Sequence, residues 1–569
     1  MFHSGQTRGL STRTFLEALE PRILLDGDPV TPETLYYVND ASTIGDIHAT
    51  AIGLSTNDGL TPSTPLDSVQ SLLDLYDLGP GDLVLIDSGT YSEQVLIDKD
   101  DEGASFQGVS GLTTWDRGGT HWDLVDADGV SISQITFTGS GTAIQIRSGT
   151  VDPSSSSNIT DNLFSGVYYG VSISGGVDHC VNNNTFDPTV TYGLYTTNTT
   201  NLQVDQNIVH SSYGISLNST QASVTGNAFT NSQNSIQASS NGTLSVLIAG
   251  NTILGVPDPG NSSLRGTGIS ITNIPATITD NNISQKEVGI DSNTAAAQVL
   301  GNRITNNTLG FEGYGVIGGT HWDPATSNLF EFNSVGVRAN SNSIVRFNEF
   351  FDNVVGLEAK SNASDAGILF HHNILADNTS AAIRVDATTG VEVLHNTIDA
   401  AVGDGLRVEN SSADIAFHNN IVWARGGYAV HVSTTSQTGF SSNYNNLFTS
   451  AAGQVGWWQK PFGDLFDWQA EVDLDLNSIG YTAIDPTRDD PHFVDAGARD
   501  FHLQDTLSTS IDAGDPADLF SLEPGINGNR VNLGAYGNTS GAATSAPASI
   551  AIDSPEYYRD VLDAASQTP

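Results

Sequence analysis

Apolar and polar positions along residues 159–448 recur as one short phrase: apolar, two variable residues, Asn, one variable residue, apolar. It stands first as Ile159-Thr160-Asp161-Asn162-Leu163-Phe164, then runs from Val181 to Phe186 around Asn184 and from Val204 to Val209 around Asn207. Further copies centre on Asn227, Asn251, Asn281, Asn302, Asn328, Asn348, Asn373, Asn396, Asn420 and Asn446. Thirteen asparagines thus fall about 24 residues apart, a period that belongs to stacked repeats. Seven to nine residues after most of them comes Gly or another small residue, then an alternating apolar pair. Gly170-Val171-Ser172-Ile173, Gly268-Ile269-Ser270-Ile271 and Gly405-Leu406-Arg407-Val408 are examples. Alternation predicts strands with one buried face. Two or three short strands per repeat, with no helix-length segment between them, can bury those faces only by coiling and stacking on the next turn. An Asn at a fixed turn position can then hydrogen-bond its equivalents above and below, pairing backbone groups that the turn would bury unsatisfied.

This layout resembles the right-handed parallel β-helix of the pectate-lyase-like superfamily over roughly residues 80–450. The expected fold class is all-β: a right-handed parallel β-helix, or solenoid, with an Asn ladder, a short N-terminal capping helix and an irregular C-terminal cap. The resemblance places the ladder in the tight turn between the second and third sheets, and the Gly-apolar-x-apolar strand in the first sheet. The capping helix is read from Ser68 to Tyr76, which puts Val69, Leu72, Leu73 and Tyr76 on one face before Gly79-Pro80-Gly81 stops it. At the other end Trp457, Trp458, Phe462, Phe466 and Trp468 form an aromatic segment. The later phrases Asp490-Pro491-His492-Phe493, Ser510-Ile511-Asp512 and Val531-Asn532-Leu533-Gly534-Ala535-Tyr536 resemble the closing segment of secreted bacterial β-helix proteins. Phe15 to Asp26 resembles the Leu-Glu-Pro-Arg-x-Leu-Leu element at the start of large exported bacterial repeat proteins, although Glu17, Glu20 and Arg22 interrupt any apolar signal core. The expected organisation is therefore 1–30 export-associated segment, 31–110 N-terminal cap and first coil, 111–450 β-helix repeats, 451–540 C-terminal cap and 541–569 flexible tail.

Charge narrows the partners. Against 64 acidic residues stand 20 basic ones, a formal net charge of −44. Such a polyanion will not hold a phosphate backbone, so nucleic acid and anionic membrane surfaces are excluded. No apolar run is long enough for a transmembrane helix, and the one cysteine, Cys180, has no intramolecular partner for a disulfide. A monomer at the cell surface or in the extracellular space is expected.

Candidate chemistry comes from the outward positions of the first-sheet strands, the second and fourth residues after each Gly equivalent. The second position runs Gln145, Ser172, Tyr195, Ser216, Gln237, Ser270, Asp291, then Arg338, Glu358, Arg384, Arg407, His431. The fourth becomes Asn340, Lys360, Asp386, Glu409, Ser433. β-Helix enzymes of this superfamily work on that face. For an acidic glycan, Arg384 or Arg407 would pair with a carboxylate, Lys360 would act as base, and His431 completes the candidate catalytic set. Arg338, Trp322, Trp457 and Trp458 are the candidate substrate contacts. Glu358, Asp386 and Glu409 are the candidate ligands for Ca²⁺, a hard ion that takes oxygen donors. The alternative is a ladder of stacked ion pairs, Arg338–Glu358–Arg384 with Lys360–Asp386 beside it.

Several signatures are incomplete. There is no Gly-His-Gly or Arg-x-Lys of the polygalacturonase type, and Asp490-Pro491-His492-Phe493 departs from the alginate-epimerase Asp-Pro-His-Glu at its acidic residue. Asp98 to Gly103 begins like a calcium loop but lacks the closing Glu. His371, His372, His395 and His418 read equally as metal donors or as stacked histidines. Gly118-Gly119-Thr120-His121-Trp122-Asp123 recurs identically at 318–323 and reads as a repeated turn with a packed Trp. Two functional expectations follow: an exported bacterial surface or extracellular β-helix protein that interacts with polysaccharide, or a polysaccharide lyase that cleaves a uronic-acid polymer by β-elimination.

Overall fold

The computed structural model describes residues 34–149, 154–240, 242–256, 266–323, 325–363 and 365–545. Both the Leu-Glu-Pro-Arg element and the tail from residue 546 lie outside these residues. The described chain winds through three sheets of seventeen strands each. Strands of sheet 1 include Tyr169–Ser174, Ala381–Asp386 and Asp404–Glu409; those of sheet 2 include Cys180–Asn182 and Ala413–His418; those of sheet 3 include Thr185–Phe186 and Ile421–Ala424. Strands pair in parallel with their equivalents one coil away, except that Pro461–Phe462 closes sheet 1 antiparallel to Gln454–Trp458. The architecture is the all-β parallel solenoid that the periodicity predicts.

Inward residues form continuous stacks. In sheet 3, Phe137, Phe164 and Phe186 lie ring on ring at 5.3 and 4.8 Å, and Phe330 stacks on Phe350 at 4.9 Å. The glycine that opens sheet 1 strands is there for close approach between coils. A Cβ on Gly268 would sit 2.5 Å from the carbonyl oxygen of Gly289, and one on Gly289 would sit 2.5 Å from that of Gly310.

The ladder runs along the turn between sheets 2 and 3. Asn396 is fully buried; its Nδ2 donates to Phe370 O, Leu394 O and Asn420 Oδ1 at 3.0, 3.0 and 3.1 Å. Its Oδ1 accepts from the backbone N and Nδ2 of Asn373, both at 3.0 Å. The same pattern links Asn162 to Asn184 and continues coil by coil. One position differs from the sequence reading: the last rung is Asn445, not Asn446. Asn445 Nδ2 donates to Asp475 Oδ1 at 3.0 Å, which ends the ladder on a buried carboxylate. Asn446 instead donates to Asp489 O and Ser510 Oγ at 2.9 and 2.8 Å. A second, shorter ladder, Asn307–Asn333–Asn353–Asn378, occupies the turn between sheets 3 and 1. Each member stands five residues after a first-ladder Asn.

The N-terminal end is closed by the helix Val69–Leu73, whose Ser68 side chain accepts from Ser71 N at 3.0 Å and whose Val69, Leu72 and Leu73 are buried. The first strand is Leu35–Val38, ahead of Leu83–Ile86, with which it pairs. At the C-terminal end the helix Leu465–Val472 lays the fully buried Trp468 against Phe462 and Trp458, with ring centroids at 5.4 and 6.3 Å.

From residue 489 onward the chain does not close the end. It turns back as a strap along the outer flank of sheet 3, where Phe493, Phe501, Leu503, Leu533 and Ala535 pack on Phe351, Ile374, Ala376 and Ile421. The turn beneath the strap is built to receive it. The residue before every ladder Asn except Asn328 has positive φ, a conformation costly for bulky side chains. Early coils put Asp161, Asn183, Gly226 or Gly250 there; later coils put Phe347, His372, His395 and Tyr444. Phe347, His372 and His395 stack at 4.9 Å spacing, and His372 Nε2 lies 3.0 Å from Gly537 O of the strap.

Candidate functional site

The outer face of sheet 1 carries one unbroken column, and its register matches the period-2 reading of the sequence. It passes from Gln145 through Ser172, Tyr195, Ser216, Gln237, Ser270 and Asp291. Glu312, supplied by the coil of Asn302, follows; then come Arg338, Glu358, Arg384, Arg407, His431 and Trp457.

Glu358 is the keystone of the charged part. It is 0% exposed. One carboxylate oxygen accepts from Arg338 Nε at 2.5 Å, the other from Arg384 Nε at 2.9 Å and from Arg384 NH2. Arg338 also reaches Glu312 at 3.3 Å. This part of the stripe is the alternating ion-pair ladder. Lys360, the expected base, has a side chain 51% exposed and donates to Asp386 Oδ2 at 3.0 Å. Burial raises the Asp386 pKa, but hydrogen bonds from Asn410 and Lys360 outweigh it and hold that carboxyl below its usual range.

The alternation breaks at Arg407, which sits in register with Arg384 rather than with an acid. Arg407 turns sideways to Asp404, at 2.6 Å, and reaches Glu409 at 3.7 Å. Its Nε is buried without a hydrogen-bond partner, as is Nδ1 of His431 one coil on. A buried polar nitrogen without a partner costs free energy, so two on neighbouring coils leave unmet hydrogen-bonding capacity at this point of the column. His431 stacks on Trp457 at 5.8 Å and 14°, and Tyr428 lies 5.6 and 5.8 Å from the two rings. Burial first, and Arg407 second, hold the His431 pKa below its usual value, so its ring is neutral at pH 7.

Of the three candidate tryptophans, only Trp457 joins this face. Trp458 points inward in register with Val432 and packs on Phe440 and Trp468. Trp322 lies under the strap, its Nε1 donating to Ala535 O at 2.8 Å and its ring 5.5 Å from Tyr536. The other copy of its hexapeptide is a strand, with Trp122 fully buried in the core. The candidate calcium donors do not converge. Both oxygens of Glu358 are taken by arginines, Asp386 by Lys360 and Asn410, and Glu409 reaches towards Arg407. Among the described residues no group of three or more His, Cys, Asp or Glu is placed to hold a metal ion.

Sequence reasoning passed over an aromatic patch on the same face. Tyr169, Tyr192 and Tyr213 open successive sheet 1 strands in register. Tyr192 stacks on Tyr213 at 4.7 Å and 15°, with Tyr168 and Tyr195 alongside. The signal was a Tyr-Gly pair three times over, at 169–170, 192–193 and 213–214.

The paired histidines lie away from this face, at the edge of the strap. Burial first, then the nearby Arg346 and His395, depress the His371 pKa to about 3; burial, with His395 and His371, holds His372 well below its usual value. Both are neutral in the folded protein and protonate near pH 6.5 when unfolded. Their contribution to stability is therefore full above that value and is lost as pH falls towards the folded values. At pH 5 each is expected to cost at most about 2 kcal/mol relative to pH 7. Urea melts at the two pH values, on wild type and on a His371→Asn/His372→Asn variant, check this; parallel pH dependence in the two proteins rules it out.

A family model described as "Right handed beta helix region" matches residues 107–253, 245–422 and 326–459. No curated protein sequence matches the chain. Solved structures similar to it include the PL6 family alginate lyase AlyGC, at 11% identity over 68% of this chain and 80% of that one, TM-score 0.29. A double mutant of the periplasmic alginate epimerase AlgG matches at 14% identity over 58% and 77%, TM-score 0.31. The catalytic unit of a thermostable GH87 alpha-1,3-glucanase from Streptomyces thermodiastaticus strain HF3-3 matches at 14% identity over 77% and 71%, TM-score 0.30. With three overlapping family matches that run through the stacked coils from 107 to 459, the chain belongs to the right-handed beta helix family.

Proposed function

We propose that the outer face of sheet 1 binds a linear acidic polysaccharide, and that the protein is an exported, monomeric bacterial protein of the cell surface or extracellular space. The observation that carries this reading is the pair of unpartnered buried nitrogens, Arg407 Nε and His431 Nδ1, beside Arg384 and flanked by Trp457. Arginine offers a carboxylate two parallel hydrogen bonds, and the exposed faces of Trp457 and the tyrosine patch suit the apolar faces of sugar rings. From Ser172 to Trp457 the column spans twelve coil spacings, close to 60 Å at about 4.8 Å each. That length suits a polymer rather than a small molecule. Export rests on the resemblance of residues 15–26. Among the described residues no helix is long and apolar enough to cross a membrane.

A uronate lyase is the second reading, favoured by the neutral His431 ring next to Arg407. There Arg384 and Arg407 would neutralise the uronate carboxylate, and His431 would accept the C5 proton. The C4–O bond would break as a C4–C5 double bond forms, with the Tyr428 hydroxyl protonating the leaving oxygen.

Affinity electrophoresis through alginate, pectate and chondroitin, beside an ultraviolet assay for unsaturated uronate, tests both readings. Binding to at least one glycan is expected to weaken about tenfold or more in Arg407→Ala, to be unchanged in the distant Arg117→Ala, and to survive chelation of calcium. Absorbance that rises in wild type and not in His431→Ala selects the lyase. Absence of retardation by every acidic glycan would overturn the binding face.

A further inference from the structure

A pocket of about 450 Å³ lies between the turn that joins sheets 2 and 3 and the strap, on a different flank from the sheet 1 face. Arg346, His371 and His372 line its wall; Thr539, Ser540 and His321 stand on its other sides. In a chain with 64 acidic and 20 basic residues, none of the residues lining this pocket is Asp or Glu. The nearest strap carboxylate by sequence, Glu523, is not among the lining residues; its Oε1 accepts from the backbone N of Asn532 and Asn538 at 2.9 and 2.8 Å.

Arg346 is the anomaly. The other arginines of sheet 1, sheet 3 and the strap reach carboxylates or backbone carbonyls: Arg147 meets Asp123, Arg303 meets Glu331, Arg425 meets Asp399, and Arg530 meets Ala513 O. The Arg346 guanidinium has no ion pair or hydrogen bond among the described residues, and its Nε is buried and unpartnered. It lies in register with His371 in the neighbouring coil, and His371 Nδ1 is 2.8 Å from His372 Nδ1. A fixed guanidinium carries five donors and no acceptor. Held in a cavity without an acid, it lacks what normally offsets its desolvation.

We infer that this pocket binds a single anionic oxygen group, a phosphate, sulfate or carboxylate, with Arg346 as the charged contact and Ser540 as a hydroxyl donor at its mouth. Such an anion would meet the guanidinium in the paired geometry that arginine favours. It would also bridge the coils to the strap, so binding would hold the strap down. The group can come from two sources, a free inorganic anion or a charged substituent on a sugar.

Isothermal titration and thermal melts of the full chain with inorganic phosphate, and separately with glucuronate, test the site. Sodium chloride at matched ionic strength is the control, because any salt screens a chain of this charge. Saturable binding of either probe, with a melting shift beyond the chloride control, is expected; phosphate alone identifies a free inorganic anion, and glucuronate identifies a sugar substituent. Arg346→Gln is expected to weaken binding about tenfold or more, while Arg488→Gln on the surface leaves it unchanged. Should Arg346→Gln fail to fold, Ser540→Trp, placed to fill the exposed mouth, is expected to give the same loss. Neither probe binding saturably to wild type, or equal binding to both pocket variants and wild type, overturns the inference.

Discussion

Replacing Arg338 and Arg384 together by Met is expected to destabilise the rod by about 3–5 kcal/mol, because it strands the carboxylate of Glu358 in the wall of sheet 1 with no cation beside it. The exposure of that side chain is 0%, and both its oxygens are held by the two arginines. Either arginine alone leaves the other in place, so each single replacement should cost much less than half of the double one. Adding Glu358→Met to the double variant removes the charge itself and is expected to recover most of the loss, since an apolar triad of similar volume often matches a buried ionic one. Chemical melts of the five proteins decide the matter. A double variant that melts with wild type would show that the column is surface decoration.

The identical hexapeptides make the second case. Trp122→Ala should cost about 3–5 kcal/mol, as expected for an emptied aromatic site in a close-packed core. Trp122 meets Trp115 at 5.1 Å and Phe106 at 5.3 Å, both edge-on. Trp322→Ala should cost about 1–2 kcal/mol, for one hydrogen bond to Ala535 and part of a ring contact. It should also expose the strap to protease while the coils stay intact. Equal losses from the two replacements would mean that the two copies share one environment after all.

The same pair shows where sequence stops being informative. Side-chain directions in most sheet 1 strands were legible, because one small residue fixes the phase and a period of two does the rest; the strand of the Asn302 coil, which supplies Glu312, and the inward-facing Trp458 were not. The ladder was legible for the same reason, up to the adjacent Asn445 and Asn446, between which spacing alone does not choose. The second ladder was present in the letters as an Asn five residues after the first. The strap was not legible: its partners lie far away in sequence, 213 residues for Trp322 and Ala535, and leave no local period. At the candidate site, composition pointed to the arginines, but which of them would be consumed by Glu358 and which left with an idle nitrogen depends on the register of neighbouring coils.

A stack of coils in which each touches only its neighbours has no protection against peeling from an end. The strap changes that. By reaching back from Asp489, beyond the last coil, to Glu331 and Asp352 through Arg499, it fastens the final coils to others well inside the rod. Tension applied at the C-terminus therefore falls first on side-chain contacts spread over several coils, loaded together in shear, and not on one rung at a time. Among the described residues the rod is clasped at one end only, and under load its two ends would give way differently.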